Sequence, residues 1–218
     1  MTYFLLSITN KCGKACGYCV VKPWRNNPDF PDKVTAEDLT AFLGKELQAG
    51  DAVELTGGEP TMFPGLQTLL AWLKEHGAKV ILRTNGLHLG EWRKSYYNLV
   101  VVLAKHDSDT AYMNERKKHL LPCDLVLDGI PDGIKQKEPL KPVFKPDGAS
   151  PANSHPFNKM MFITNDGKIR FAPCCDDDMG TVWGYKPALY HCCRECPYML
   201  GAWNLINRIG KTFKEEDM

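Results

Sequence analysis

Three short apolar segments in this 218-residue chain each run straight into a loop of chemically distinctive residues: "TYFLLSIT" into "NKCGKACGYC", "AVEL" into "TGGEP", and "KVILR" into "TNG". Their length and their aromatic and β-branched content read as buried strands. Helical patterns separate them. In "TAEDLTAFLGKELQAG" Thr35 is placed as N-cap, Leu39, Phe42, Leu43 and Leu47 form one stripe, and Gly50 ends the helix. In "GLQTLLAWLKEHG" Leu66, Leu69, Leu70 and Leu73 share a face. Alternation of strand and helix implies right-handed crossovers and a parallel sheet, and ligands of such sheets gather where strand C-termini meet the following loops. All three distinctive loops fall at such ends.

The alternation continues with "EWRKSYYN" as a helical piece, "LVVVLAKHD" as a strand, "TAYMNERKKHL" as a helix and "CDLVLDGIP" as a strand. Residues 131 to 158 then hold six of the fifteen prolines and little periodicity, which suits a linker or substrate-facing loop, with "PVFKP" as one last strand. "KMMFITNDGKIRFAPCC" alternates like a β-hairpin around Asn165, Asp166 and Gly167. The expected division is a barrel-like unit over 1–150 and a small cysteine-pinned unit over 151–218, with no internal repeat.

A chain of this size buries a sizeable core, and 44% hydrophobic with 24% charged residues is a globular composition. A net charge of +1 gives no electrostatic case for bulk binding to nucleic acid or an acidic membrane. The N-terminus "MTYFLLSI" lacks a positive n-region, and no window offers the roughly 18 apolar residues of a membrane span, so a cytoplasmic location without membrane contact is expected. The nine cysteines are an odd number, crowded at 12–19 and 174–196 with Cys123 alone; in a reducing compartment that favours metal ligation over disulfides. Cys123 itself, before an apolar strand, reads as a small core residue.

Cys12, Cys16 and Cys19 lie within eight residues. A structural zinc wants a fourth ligand and more often pairs two Cys-x-x-Cys units. With Tyr18 before Cys19, and with Gly57, Gly58, Glu59 and Pro60 after the second strand, the chain resembles the radical S-adenosylmethionine (SAM) enzymes over residues 1 to about 130. That family carries Cys-x-x-x-Cys-x-aromatic-Cys after the first strand of a partial (β/α)6 TIM-like barrel and Gly-Gly-Glu after the second. Three thiolates on one loop can hold three irons of a [4Fe–4S] cubane, and Gly13 and Gly17 leave room for the backbone to wrap it. The resemblance implies that the fourth iron is chelated by SAM, whose reductive cleavage yields a 5′-deoxyadenosyl radical that abstracts a substrate hydrogen.

The resemblance further places Tyr18 beside the adenine or the cluster, and Gly57, Gly58 and Glu59 against the methionine amino group, with Pro60 completing the motif. Asn85 falls near the ribose. Lys105 is similar to the lysine that some glycyl-radical activating members set against the SAM carboxylate, where many others use serine.

The second group is Cys174, Cys175, Cys192, Cys193 and Cys196. Four ligands from two segments, one ending in Cys-x-x-Cys, suit either a tetrahedral metal or a fully ligated cluster. The β-hairpin, the Pro-Cys, Trp183 and the final Cys-x-x-Cys resemble a truncated SPASM or twitch extension, which implies one auxiliary [4Fe–4S] cluster, zinc being the other candidate. Cys193 and Cys196 are the firmest ligands, Cys174 or Cys175 supplies the far side, and Cys192 is a ligand or a spectator. Asp176, Asp177 and Asp178 read as a solvated turn, and Met179 and Trp183 as packing around the cluster.

The expectation is an α/β radical SAM enzyme with an electron donor such as flavodoxin or ferredoxin. Family members with this layout mostly modify ribosomal peptides or proteins, with others acting on sugars, antibiotic precursors or nucleosides. The absence of a visible leader-binding module lowers the peptide reading, while the basic stretches "NERKKH" and "KQKEPLKPVFK" keep a nucleotide-type substrate in view. The alternative from another class is a non-catalytic zinc or iron–sulfur binding module.

Overall fold

In the computed structural model, which describes residues 1–14, 16, 19, 24–96, 98–105, 110–121, 124–128, 159–170 and 179–185, the first apolar run lies inside a seven-stranded sheet. Its strands are β1 (Thr2–Thr9), β2 (Ala52–Gly57), β3 (Lys79–Thr84), β4 (Leu99–Lys105), β5 (Leu125–Asp128), β6 (Lys159–Ile163) and β7 (Ile169–Arg170). The spatial order is β5-β4-β3-β2-β1-β6-β7. β1 to β5 pair in parallel with their sequence neighbours, β6 pairs in parallel with the free side of β1, and β7 alone runs antiparallel. The fold is thus mixed α/β with a mainly parallel sheet, consistent with a partial TIM-like barrel.

Each expected strand over the first 128 residues is present. Residues 159–170 form the expected hairpin, with Gly167 at φ 85°, and its first strand extends the main sheet from Thr2↔Lys159 to Leu6↔Ile163. A short ribbon of β8 (Gly180–Thr181) and β9 (Gly184–Tyr185) follows. "PVFKP", the 131–158 linker, Cys123 and Asp176 to Asp178 lie outside the described residues.

Helix α1 (Ala36–Glu46) starts where Thr35 and Asp38 cap each other reciprocally, at 3.1 Å from the Asp38 N–H to the Thr35 hydroxyl and 3.0 Å from the Thr35 N–H to the Asp38 carboxylate. It stops at Glu46, short of the expected Gly50. Leu47 is already extended, and the chain must turn through Gly50, at φ 86°, to enter β2. Helix α2 (Leu66–Glu75) buries Leu66, Leu69, Leu70 and Leu73, the expected face. Gly65 precedes it because a Cβ there would stand 2.5 Å from that of Ala36, where the two helices approach. Helix α3 (Thr110–Lys117) comes before β5, and "EWRKSYYN" contributes a 3-10 turn over Glu91–Ser95.

Strand alternation divides the sheet into two faces. Phe4, Leu6, Ile8, Val53, Leu55, Val80, Leu82, Leu99, Val101, Met161 and Ile163 join the buried residues of α1 and α2 in one apolar core. Each leucine fully buried there contributes roughly 2 kcal/mol of transfer free energy. The opposite face carries Tyr3, Leu5, Ser7, Glu54, Thr56, Ile81 and Arg83.

At the strand starts, Arg93 and Asp124 form an ion pair whose side chains are both 0% exposed, at 2.5 Å and 3.0 Å. Arg93 also donates to the Tyr96 and Leu99 carbonyls, and Asp124 accepts the Val101 and Leu121 N–H groups. A buried pair is affordable when its remaining donors and acceptors are met in this way. Asp124→Ala strands the guanidinium in the interior and is expected to lower stability by about 3–5 kcal/mol. Urea unfolding followed by circular dichroism checks this: the midpoint falls, and Asp124→Asn, which keeps hydrogen-bonding atoms, loses less.

Candidate cofactor site at the strand ends

The loops after β1 and β2 are clasped backbone to backbone. The Gly58 N–H donates to the Thr9 carbonyl and the Glu59 N–H to the Lys11 carbonyl, both at 2.7 Å. A Cβ on Gly57, at φ 124°, would sit 2.4 Å from the Thr9 oxygen, and one on Gly58 would sit 2.3 Å from the Lys11 oxygen. No side chain fits in that space. The glycine pair is therefore required by the approach of the two loops to each other, a reason for the glycines that the sequence reading did not contain.

Glu59 is 1% exposed and opens a 3-10 turn over Pro60–Met62, with Pro60 at its first position. One carboxylate oxygen accepts the Thr61 N–H at 3.1 Å, the Thr61 hydroxyl at 2.5 Å and the Thr84 hydroxyl at 2.6 Å; the other accepts the Asn85 N–H at 2.8 Å. A carboxylate so fully hydrogen-bonded is stable in the interior. It ties the loop after β2 to the end of β3.

Asn85 carries the connection to the cysteine loop. Its side-chain oxygen accepts the Leu87 N–H at 2.9 Å, which turns the amide nitrogen toward Cys12 Sγ at 3.8 Å. The Lys14 N–H also points at that sulfur, at 3.4 Å. Asn26, in the left-handed region at φ 54°, holds the Cys12 backbone from the other side: its side-chain oxygen accepts the Cys12 N–H at 3.0 Å and its amide donates to the Cys12 carbonyl at 2.8 Å. Cys12, Cys16 and Cys19 are all free thiols of intermediate exposure, and the Cys19 N–H reaches the Cys16 carbonyl at 3.4 Å. Among the described residues no three His, Cys, Asp or Glu side chains converge as ligands of one metal ion. A cubane does not ask for such convergence, since each thiolate takes a different iron, and backbone N–H groups aimed at a ligand sulfur belong to such sites.

A polar brace supports the base of the loop. Asp32 accepts the Thr9 hydroxyl at 2.6 Å and the Asn10 N–H at 2.7 Å, and the Asn165 amide of the β6–β7 turn reaches the same carboxylate at 3.0 Å. The Asn165 carbonyl accepts the Lys33 N–H at 2.8 Å. The hairpin is thereby fastened to the cysteine loop's root. Trp183 covers Gly167 and donates to Asp38 of α1 at 2.8 Å, and Met179 is fully buried in the apolar core.

Of the residues singled out in the sequence, Cys12, Gly57, Gly58, Glu59, Pro60 and Asn85 meet at one end of the sheet, with Cys16 and Cys19 on the same loop. Lys105 ends β4, opposite Asp128 of β5. Tyr18 and the second group, Cys174, Cys175, Cys192, Cys193 and Cys196, lie outside the described residues. Asn26, Asp32 and Thr84 went unnoticed in the sequence, where each is an ordinary loop or strand-end polar residue. So did a cluster on the inner sheet face, where the Tyr3 hydroxyl and the Arg83 Nε both donate to Glu54. Its one signal was a charged residue set among apolar ones inside each of β2 and β3. Burial first, and then the Glu54 charge, push the Tyr3 hydroxyl far above its ordinary range.

The model of the radical SAM superfamily matches residues 6–117. The chain belongs to that superfamily. Relatives include a GTP 3',8-cyclase of Peptoclostridium acidaminophilum, 26% identical over 141 residues that make up 63% of this chain and 43% of the relative. Molybdenum cofactor biosynthesis protein 1 of Bos taurus is 32% identical over 93 residues, 40% of this chain and 14% of that protein. The chain thus spans less than half the length of the curated relatives it matches. Among solved structures, BtrN in complex with AdoMet and 2-DOIA superposes with a TM-score of 0.52 at 16% identity, over 83% of this chain and 78% of that one, which is a likeness of fold.

Burial raises the Cys12 thiol pKa, the Lys14 N–H opposes this, and the charges of Glu59, Cys16 and Cys19 add to the rise. A raised thiol pKa means less thiolate at a given pH. In the metal-free protein, alkylation of Cys12 by iodoacetamide is expected to be slower at pH 8 than that of an unstructured thiol and to keep rising above pH 9. Peptide mass spectrometry of timed reactions reads this directly; a Cys12 rate that levels off at ordinary thiol pH contradicts it.

Proposed function

We propose that this protein is a radical SAM enzyme acting on a nucleotide-type substrate, with Cys12, Cys16 and Cys19 as ligands of a [4Fe–4S] cluster. The observation that carries the reading is the meeting of three successive strand-end loops at Cys12, through Asn85 and the Gly58–Glu59 clasp. When bound, the cluster and SAM would supply one-electron cleavage to a 5′-deoxyadenosyl radical. The chain's own part is to hold and shield. Asn26 fixes the Cys12 backbone, and the Lys14 N–H and Asn85 amide stabilise its thiolate.

Glu59 acts as a positioning residue here, since its carboxylate already has four protein donors; contact with the SAM amino group would fall to the backbone around Gly57 and Gly58. Tyr18 beside the adenine or the cluster, Asn85 near the ribose and Lys105 at the carboxylate complete the proposed cofactor set. The nucleotide assignment draws support from the GTP 3',8-cyclase relatives and from the basic stretch 114–119 at the end of α3.

Beyond the barrel, proposed over 1–150, the unit over 151–218 would hold one auxiliary [4Fe–4S] cluster through four of Cys174, Cys175, Cys192, Cys193 and Cys196, with zinc as the other occupant. A flavodoxin or ferredoxin would donate electrons in the cytoplasm. Among the described residues no helix is long and apolar enough to cross a membrane.

Anaerobic reconstitution tests the reading. The loaded protein should form 5′-deoxyadenosine from SAM under dithionite, faster when GTP is present, and Cys16→Ala should reduce formation to background. Cys16→Ala that retains the activity overturns the cluster assignment. About eight irons per chain would mark two cubanes, and about four with one zinc the alternative.

A further inference from the structure

The inner sheet face is apolar at Leu5, Ile81, Val100 and Val102, yet Glu54 and Arg83 interrupt it. Glu54 is buried, with a side chain 5% exposed, and receives the Tyr3 hydroxyl and the Arg83 Nε. The Arg83 side chain is 39% exposed, and beyond Glu54 it has no hydrogen-bond or ion-pair partner among the described residues. Four of its five N–H donors are therefore without a partner among the described residues. A buried pair that served stability alone would be replaceable by apolar residues of similar volume, like those around it. An arginine held from behind by a buried carboxylate is instead pre-oriented, so little is lost on ordering it for a ligand.

The neighbours at the same level are donors too. Ser7 pairs with Thr56 across β1 and β2, and Arg83 lies one step beyond the Leu55–Leu82 pair, level with Thr56. Both hydroxyls are half-buried, and neither has a partner among the described residues. Ser7 Oγ would stand 3.2 Å from a Cβ on Gly57, so this row lies directly beneath the glycine turn, and Arg83 precedes Thr84 and Asn85 of the cysteine contact. Donors without acceptors, one of them a cation with its planar fork free, suit an oxyanion.

We infer that Arg83, positioned by Glu54 and Tyr3 and flanked by Ser7 and Thr56, is the binding site for a phosphate or carboxylate group of the substrate on the inner sheet face. The inference rests on the strand ends being the cofactor side, and it does not depend on the substrate being a nucleotide. Arg83 touches the substrate's anionic group; Glu54 and Tyr3 act through Arg83.

The test is equilibrium dialysis of the cluster-loaded, SAM-bound full chain against pyrophosphate, for a phosphate source, and succinate, for a carboxylate source. At least one should bind, and Arg83→Gln should weaken it about tenfold or more, with Arg83→Lys intermediate and SAM affinity unchanged within about twofold. Arg83→Gln alone leaves Glu54 buried and uncompensated, so Glu54→Gln/Arg83→Gln, which buries no charge, is measured beside it and should give the same loss. The proposal is overturned if neither anion binds, if Arg83 variants bind as the parent does, or if SAM affinity falls along with the anion. Pyrophosphate binding without any effect of GTP on SAM cleavage would reject the nucleotide assignment and leave the oxyanion site standing.

Discussion

Everything at the business end of this sheet depends on two backbone hydrogen bonds and one buried carboxylate. Gly58 and Glu59 donate to the carbonyls of Thr9 and Lys11, and the Glu59 side chain gathers Thr61, Thr84 and Asn85. Each backbone bond is worth only about 0.5–1.5 kcal/mol net. Their effect is geometric. They bring the ends of β1, β2 and β3 within van der Waals distance, so that the Asn85 amide meets the Cys12 sulfur.

The sheet uses its two faces and two ends differently. One face is an apolar layer closed by α1 and α2, and it needs no polar partner. The other carries the Tyr3, Glu54 and Arg83 cluster, with donors that the described residues leave free on Arg83, Ser7 and Thr56. At the strand starts, charge is fully satisfied inside the protein by Arg93 and Asp124. At the strand ends the cysteine thiols stay half-exposed and open to a ligand. A parallel sheet imposes this polarity, because every strand delivers its C-terminal loop to the same edge.

Much of the fold was legible because the strands are continuous apolar runs and the helices are clean stripes. Leu66, Leu69, Leu70 and Leu73 could be read as a buried face from spacing alone, and Thr35 as a cap from its chemistry. The motif residues were legible for a different reason: cysteine and paired glycine are rare enough at strand ends to stand out. Asn26, Asp32 and Asn165 were not legible, since an asparagine in a loop carries no mark of the backbone it will clamp, and Asp32 meets Asn165 across more than a hundred residues of chain. Glu54 and Arg83 were not legible either, since only strand register sets them on one face.

What the sequence determined by itself was the period: which residues form strands and helices, and which reactive groups fall at strand ends. Local spacing encodes those properties, because side-chain alternation and helical repeat act over a few residues. Only the tertiary structure decided that β6 lies beside β1, that Gly57 and Gly58 are glycines to admit a neighbouring backbone, that Glu59 faces inward to Thr84 and Asn85, and that Arg83 rests on Glu54. Each of these is a contact between segments distant in the chain, and its energy exists only once the sheet has set their register.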